Sequence, residues 1–319
     1  MMHRRSLILA ALAAPSVALA QTFPSRPLRV IVPFGAGGVA DLTARAVGAR
    51  MAELLGQPLV VDNRPGAGGI VAGQALMGAP ADGHTLLVAS NGTAISRGLF
   101  RTLPFDPLAD FAPVVTMGAF PIGIVAPPGG PDRDLAGLLA RLRANPGRLN
   151  IGTIAAGSTQ NLSAELFKIR SGTRFETVPF NGTPALITAM LRGDVDAAFE
   201  ITGPIAGQIE AGAVRLLAVT SATRSAQYAN VPTVQEAGVP DYDVASWNAL
   251  MVRAGTSPAA VATLNRAAND ALTNAELRAT LARAGVEPRG GTAAEMGALL
   301  AADTARWTET IEKAGIQRQ

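Results

Sequence analysis

Short apolar runs alternate along the chain with longer segments of helical spacing. Leu28-Arg29-Val30-Ile31-Val32 is an apolar run closed by Pro33 and reads as a buried strand. Asp41 to Leu55 has helical spacing and stops at Gly56. Leu59-Val60-Val61 predicts a second strand, Ile70 to Met77 a second helix, and Thr85 to Ala89 a third strand. Further strands are expected near 122–126, 149–152, 177–179, 197–199 and 216–220. Helices are expected near 135–143, 159–170 and 184–192, with a helical tail at 258–272, 275–284 and 293–314. Strand–helix alternation of this kind argues for an α/β protein with parallel strands and right-handed crossovers.

Composition narrows the class. Of 319 residues, 48% are hydrophobic and 16% charged, which excludes a disordered chain. Cysteine is absent and there are two histidines, His3 and His84, so disulfides, thiolate metal sites and histidine-rich metal centres are excluded; no metal or cofactor is expected. Lys+Arg number 27 against 24 Asp+Glu. The arginines are scattered, and no basic run is interleaved with aromatics, so no nucleic-acid partner is expected.

Residues 1–20 read as an export leader. His3-Arg4-Arg5 form a positive start, Leu7 to Ala14 an apolar stretch, and Ala18-Leu19-Ala20 a small-residue cleavage site, with cleavage expected after Ala20. Arg4-Arg5 also fits a twin-arginine signal. No later segment has 18 consecutive apolar residues, so a soluble periplasmic body is expected.

Candidate chemistry sits where strands hand over to helices. Pro33-Phe34-Gly35-Ala36-Gly37-Gly38 follows the first strand and opens the first helix. Ala155-Ala156-Gly157-Ser158-Thr159-Gln160-Asn161 repeats the arrangement, and Asn181-Gly182-Thr183-Pro184 is a third junction. Helix N-termini carry partial positive charge and free N–H groups, so such junctions suit an anion. Ligands of open α/β sheets bind outside the carboxyl ends of the strands. Three such junctions, spread along the chain, suggest a cleft lined from two lobes. The Gly35-x-Gly37-x-x-Ala40 spacing also fits a dinucleotide loop, although Asp62 lies 27 residues beyond Gly35 where about 20 is usual. An exported NAD-dependent enzyme is therefore an alternative. The Walker A, G-x-S-x-G and H-E-x-x-H motifs are all missing, and no nucleophile stands with its base.

Seven motifs in order carry a family resemblance: PFGAGGVAD (33–41), VDNRPGAGG (61–69), ADGHTLLVASNGT (81–93), GTIAAGSTQNLSAELF (152–167), PFNGTPALITAMLRGDVDAAF (179–199), LLAVTSATRS (216–225) and VPTVQEAG (231–238). Together they resemble the Bug/TctC family, the extracytoplasmic solute-binding receptors of tripartite tricarboxylate transporters. The resemblance implies a two-lobed periplasmic-binding-protein (type II-like) fold, each lobe a mostly parallel sheet flanked by helices. It implies a non-enzymatic, monomeric receptor that closes on a small organic carboxylate and meets the membrane subunits of a transporter; an orphan carboxylate sensor is the other receptor reading. Lobe 1 is expected at 21–118 plus 226–319 and lobe 2 at 119–225, with crossings near Gly118–Pro121 and Ser221–Tyr228.

The resemblance places ligand contacts on Phe34, Ala36, Gly37, Gly38 and Asp41 in the first lobe, and on Gly157, Ser158, Thr159 and Asn161 in the second. Asn181, Gly182, Thr183, Ser90 and Asn91 follow. Asn161 stands where the family commonly has histidine, Phe180 where tyrosine is frequent, and Glu200 where aspartate is common. Glu200 is the expected counter-ion if the ligand bears an amine. Trp247 fits a cleft, core or hinge position equally.

Overall fold

The computed structural model describes residues 23–319. The expected leader and its cleavage site at Ala20 lie outside the described residues. Strand β1 (Leu28–Val32) leads into α1 (Val39–Leu55), β2 (Leu59–Asn63), α2 (Ile70–Met77), β3 (Thr85–Ser90) and α3 (Asn91–Leu99). Strand β4 (Phe111–Ala126) then runs into a second set: α4 (Leu135–Ala144), β5 (Asn150–Ile154), α5 (Thr159–Ser171), β6 (Glu176–Phe180), α6 (Thr183–Arg192), β7 (Ala197–Ile201), α7 (Ala206–Glu210) and β8 (Arg215–Val219). The chain closes with β9 (Ala245–Arg253), α8 (Pro258–Thr273), α9 (Ala275–Arg283), β10 (Glu287–Gly290) and α10 (Ala293–Lys313). Among the described residues no helix is long and apolar enough to cross a membrane.

The strand order β2-β1-β3-β9-β4-β7-β5-β6 is two sheets sharing β4, with β10 and β8 also paired to that strand. The outer strands β2-β1-β3 and β6-β5-β7 are parallel, as strand–helix alternation requires. The inner pairs made by β9, β4, β10, β7 and β8 are antiparallel. β4 pairs with β9 as far as Pro121↔Ala245 and changes partner at Ile122↔Ile201, which places the first crossing at residues 121–122.

The return crossing differs from the expected Ser221–Tyr228. After β8 the chain stays against the second sheet: Thr233 bridges Val219, and the Tyr242 hydroxyl donates to the Ser163 carbonyl oxygen on α5 at 2.7 Å. Val234, Val239, Tyr242 and Val244 are all fully buried there. Burying those four side chains holds residues 234–244 against the second sheet, and pairing with the first sheet resumes only at Ala245. Thr220 ties the two crossings together. Its N–H donates to the Ile122 carbonyl oxygen at 2.9 Å, and its hydroxyl to the Val244 carbonyl oxygen at 2.6 Å.

Five elements escape the sequence pattern, with the short α7 and β10 as the last two. The part of β4 that pairs with β9 contains Pro113, Gly118 and Pro121, which read as breakers; the strand absorbs the first two at register shifts between Pro113/Val115 and Thr116/Gly118, and Pro121 ends the pairing with β9. Helix α3 begins at Asn91-Gly92, a turn signature, but Ser90 caps it. The Ser90 side chain accepts from the Gly92 N–H at 3.2 Å, and the Ser90 N–H donates to Thr93 Oγ1 at 3.2 Å. The third element is β9, buried on both faces and sandwiched between β3 and β4.

Candidate functional site

Both parallel motifs end in the same device. After β1, the Gly37 N–H donates to Asp41 Oδ2 at 2.9 Å; after β5, the Gly157 N–H donates to Asn161 Oδ1 at 3.0 Å. Both glycines have left-handed φ, +84° and +78°, which a side-chain-bearing residue adopts at a cost. Each hydrogen bond bends the loop back onto the first turn of its helix. At α1 no side chain caps Gly38, so the first-turn N–H groups stay open to a ligand. At α5, Ser158 Oγ accepts from the Asn161 N–H at 3.1 Å, which leaves the earlier N–H groups of that turn.

A cavity of about 690 Å³ lies between these two helix N-termini. Phe34 and Gly38 line it from one side, Gly157, Ser158 and Thr159 from the other, and Ser90 and Asn91 at the start of α3 complete the polar wall. None of its lining residues is Lys, Arg, His, Asp or Glu. Leu87, Leu99, Phe100, Phe105, Phe111 and Phe120 are among the apolar residues of the wall. The two sides come close: a Cβ on Gly157 would stand 2.8 Å from Leu99 Cδ2 on α3.

The other expected contacts are placed outside this wall. Asp41 is 2% exposed and fully engaged. Beyond Gly37 it accepts from Arg45 Nε at 3.0 Å and from Asn63 Nδ2 at 2.9 Å, while Asn63 Nδ2 also donates to the Phe34 carbonyl oxygen at 3.0 Å. Asp41 therefore builds the loop and does not line the cavity. Ala36 and Gly37 are part of that loop and not of the wall, and Asn161 plays the corresponding part in the second loop, with Nδ2 donating to Thr153 Oγ1 at 3.3 Å. Glu200 is buried behind Gln160, whose Nε2 donates to Glu200 Oε1 at 2.9 Å and whose side chain lines the cavity. Burial pushes the Glu200 carboxyl up, against the Gln160 amide, the Ile201 N–H and the Thr183 hydroxyl. Thr183 borders a separate shallow hollow with Pro184 and Ile187, and Asn181 and Gly182 line neither space. Trp247 is a core residue whose Nε1 donates to Asp303 Oδ2 at 2.7 Å.

The hydrogen bond from Arg45 is the main cause holding the Asp41 carboxyl at about 2, below its ordinary 3.8; the Gly37 and Asn63 bonds add to it and burial opposes. A depressed carboxyl stabilises the fold above its unfolded value and loses that stabilisation as pH falls through its folded value. Asp41 should thus contribute about 2 kcal/mol at neutral pH, lost between about pH 4 and pH 2. Asp41→Asn is expected to melt lower at pH 7 and to converge with the unaltered protein near pH 2. Melting curves that stay parallel over that range would refute this role.

The dinucleotide alternative finds its acidic residue occupied. Asp62 accepts from Arg29 Nε and from Arg64 Nε, each at 2.9 Å, and does not line the cavity. His84 is 6% exposed, packs edge-on to Phe23 and accepts from the Ser25 N–H, also away from the cavity.

Residues that the sequence reading did not single out are Ser246 and Asn248 on β9, Gln160, and the phenylalanines of the apolar wall. The available signal for Asn248 was one amide inside the apolar run Ala249 to Val252 and Trp247.

Comparison with known proteins places the chain. Residues 43–316 match the family model described as tripartite tricarboxylate transporter family receptor. Protein BugT of Bordetella pertussis is 34% identical over 308 residues, covering 96% of this chain and 94% of BugT. An R. palustris protein solved with adipate superposes with a TM-score of 0.79 at 34% identity, covering 93% of this chain and all of that one. MatC from Rhodopseudomonas palustris, solved with bound malate, gives 0.75 at 31% identity, covering 91% of this chain and all of that one.

Proposed function

The chain belongs to the tripartite tricarboxylate transporter receptor family, and from that premise we propose that it is a periplasmic receptor that captures a small carboxylate between two lobes. The observation that carries this reading is the cavity held between two helix N-termini, one from each sheet, with no ionisable side chain in its lining. An anion there is stabilised by backbone N–H groups and the helix dipoles and needs no arginine or lysine. The relatives solved with adipate and malate support the ligand class.

The lobes are taken as the two sheets with their helices, divided at residues 121–122 and 244–245. Closure would turn on β4 and on Thr220, which joins the two crossings. Ligand binding shifts an open–closed equilibrium by no more than its differential affinity for the two states. The closed form is what membrane subunits of a transporter would recognise, and the acid leaves unchanged, without catalysis or cofactor. The protein acts as an exported monomer freed of its leader at Ala20.

A thermal-shift screen of the purified protein tests this, with mono-, di- and tricarboxylates, amino acids and NAD. A ligand at 100 times its Kd adds about 2.7 kcal/mol, a rise of several degrees for a chain of this size. The expected result is a rise with a carboxylate and none with NAD. A rise with NAD alone would overturn the receptor reading in favour of an exported dinucleotide enzyme.

A further inference from the structure

We propose that the side-chain amide of Asn248 is a direct ligand contact, and that the site it serves takes an acid with one carboxylate and an uncharged, hydrocarbon or aromatic body. This rests on the carboxylate-receptor reading and narrows it.

Asn248 lies on β9 in register with Ser90 on β3 and Gly118 on β4, at the carboxyl end of β3 where α3 begins. It is 1% exposed and lines the cavity. Its Nδ2 has no hydrogen-bond partner, and its amide makes no hydrogen bond within the described residues. A buried amide left unpaired is costly, and such groups are rare unless something else satisfies them. The polar neighbours are already engaged. Ser90 caps α3, Ser246 Oγ donates to Asn91 Oδ1 at 3.3 Å, and Asn91 Nδ2 reaches the Ala245 carbonyl oxygen at 3.2 Å. The Asn248 amide is therefore the polar group of this wall left without a partner, and its two N–H donors suit a carboxylate oxygen.

The rest of the cavity sets the body of that ligand. Leu87, Ile95, Phe100, Phe105, Phe111 and Phe120 line it, and the Phe105 and Phe111 rings stand 4.9 Å apart. A second carboxylate pointing into this wall would be desolvated with no cation among the lining residues to pair with it. A ring or hydrocarbon chain in the same place instead buries apolar surface against apolar surface.

The test is titration calorimetry with 3-phenylpropionate, adipate and malate, using protein unfolded and refolded to strip any copurified acid. 3-Phenylpropionate is expected to bind at least tenfold more tightly than either diacid. Asn248→Ala and Asn248→Ser should each weaken 3-phenylpropionate about tenfold while leaving the melting temperature of the ligand-free protein unchanged or slightly raised, because no native hydrogen bond is lost. Unaltered affinity in both variants, or a fall in ligand-free melting temperature that accounts for the weakening, would overturn the contact. Adipate or malate binding as tightly as 3-phenylpropionate would overturn the single-carboxylate class and leave the receptor reading intact. Binding of none of the three acids would overturn both.

Discussion

Gly38→Leu is expected to weaken binding of the cognate carboxylate by at least about 100-fold, a loss of about 2.7 kcal/mol, while lowering the melting temperature by only a few degrees. Gly38 caps α1 with ordinary extended backbone, φ −76° and ψ 166°, so a side chain there brings no left-handed strain. A Cβ at this position meets only the Gly35 carbonyl oxygen, at 3.7 Å. The leucine side chain would thus enter open space at the mouth of the cavity, over the N–H groups that receive the anion. The folding cost is that of a poorer cap, about 1 kcal/mol. Gly37 behaves differently. It has φ +84° and does not line the cavity, so replacing it strains the loop by about 1–2 kcal/mol and acts on binding only through the loop's shape. Calorimetry and melting curves on the two variants separate the effects. Retained affinity in Gly38→Leu would show that the α1 N-terminus does not hold the ligand.

The largest stability effect is expected at a position remote from any motif. Asp303→Ala should cost about 3–5 kcal/mol and lower the melting temperature by roughly 10 °C. Asp303 on α10 is 2% exposed; its Oδ2 accepts from Trp247 Nε1 at 2.7 Å and from Asn91 Nδ2 at 3.3 Å, and its Oδ1 lies 3.3 Å from an Arg306 nitrogen. Alanine would leave the indole N–H without its acceptor and deprive the Asn91 amide of one, both in the core. Asn91 is the first residue of α3 and part of the cavity wall, so affinity should fall as well. Asp303→Asn keeps an acceptor of the same size and should cost less than half as much. Equal melting temperatures for the alanine variant and the unaltered protein would show that this cluster carries no stability.

The outer motifs of each sheet were legible in the sequence because each carries its own punctuation. Val30-Ile31-Val32 ends at a proline, and α2 falls at Ile70–Met77 as its spacing requires. The two glycine loops were equally legible as helix-opening junctions. Their inner construction was not, since Asp41 and Asn161 look like residues facing an anion but turn back to hold Gly37 and Gly157. Asp41 escapes repulsion with a bound acid because Arg45, Gly37 and Asn63 take up its carboxylate. The middle of the fold was hidden for a different reason. β4 and β9 carry two prolines, two glycines and mixed polarity, and what makes them strands is pairing over more than a hundred residues of sequence. Asn248, Phe111 and Phe120 reach the cavity only through that pairing, and the lone amide in the apolar run of β9 was the one local sign of it. Glu200 was legible as a residue near the site, but its partner Gln160 lies 40 positions away and screens it from the cavity.

The central claim is that a carboxylate is held by backbone N–H groups of two helices from different sheets. A crystal structure of the protein grown with the acid that gives the largest thermal shift tests it most directly. Carboxylate oxygens within about 3 Å of first-turn backbone nitrogens of α1 and of α5, with no basic side chain beside them, are the expected result. A carboxylate paired to an arginine outside this cavity would contradict it.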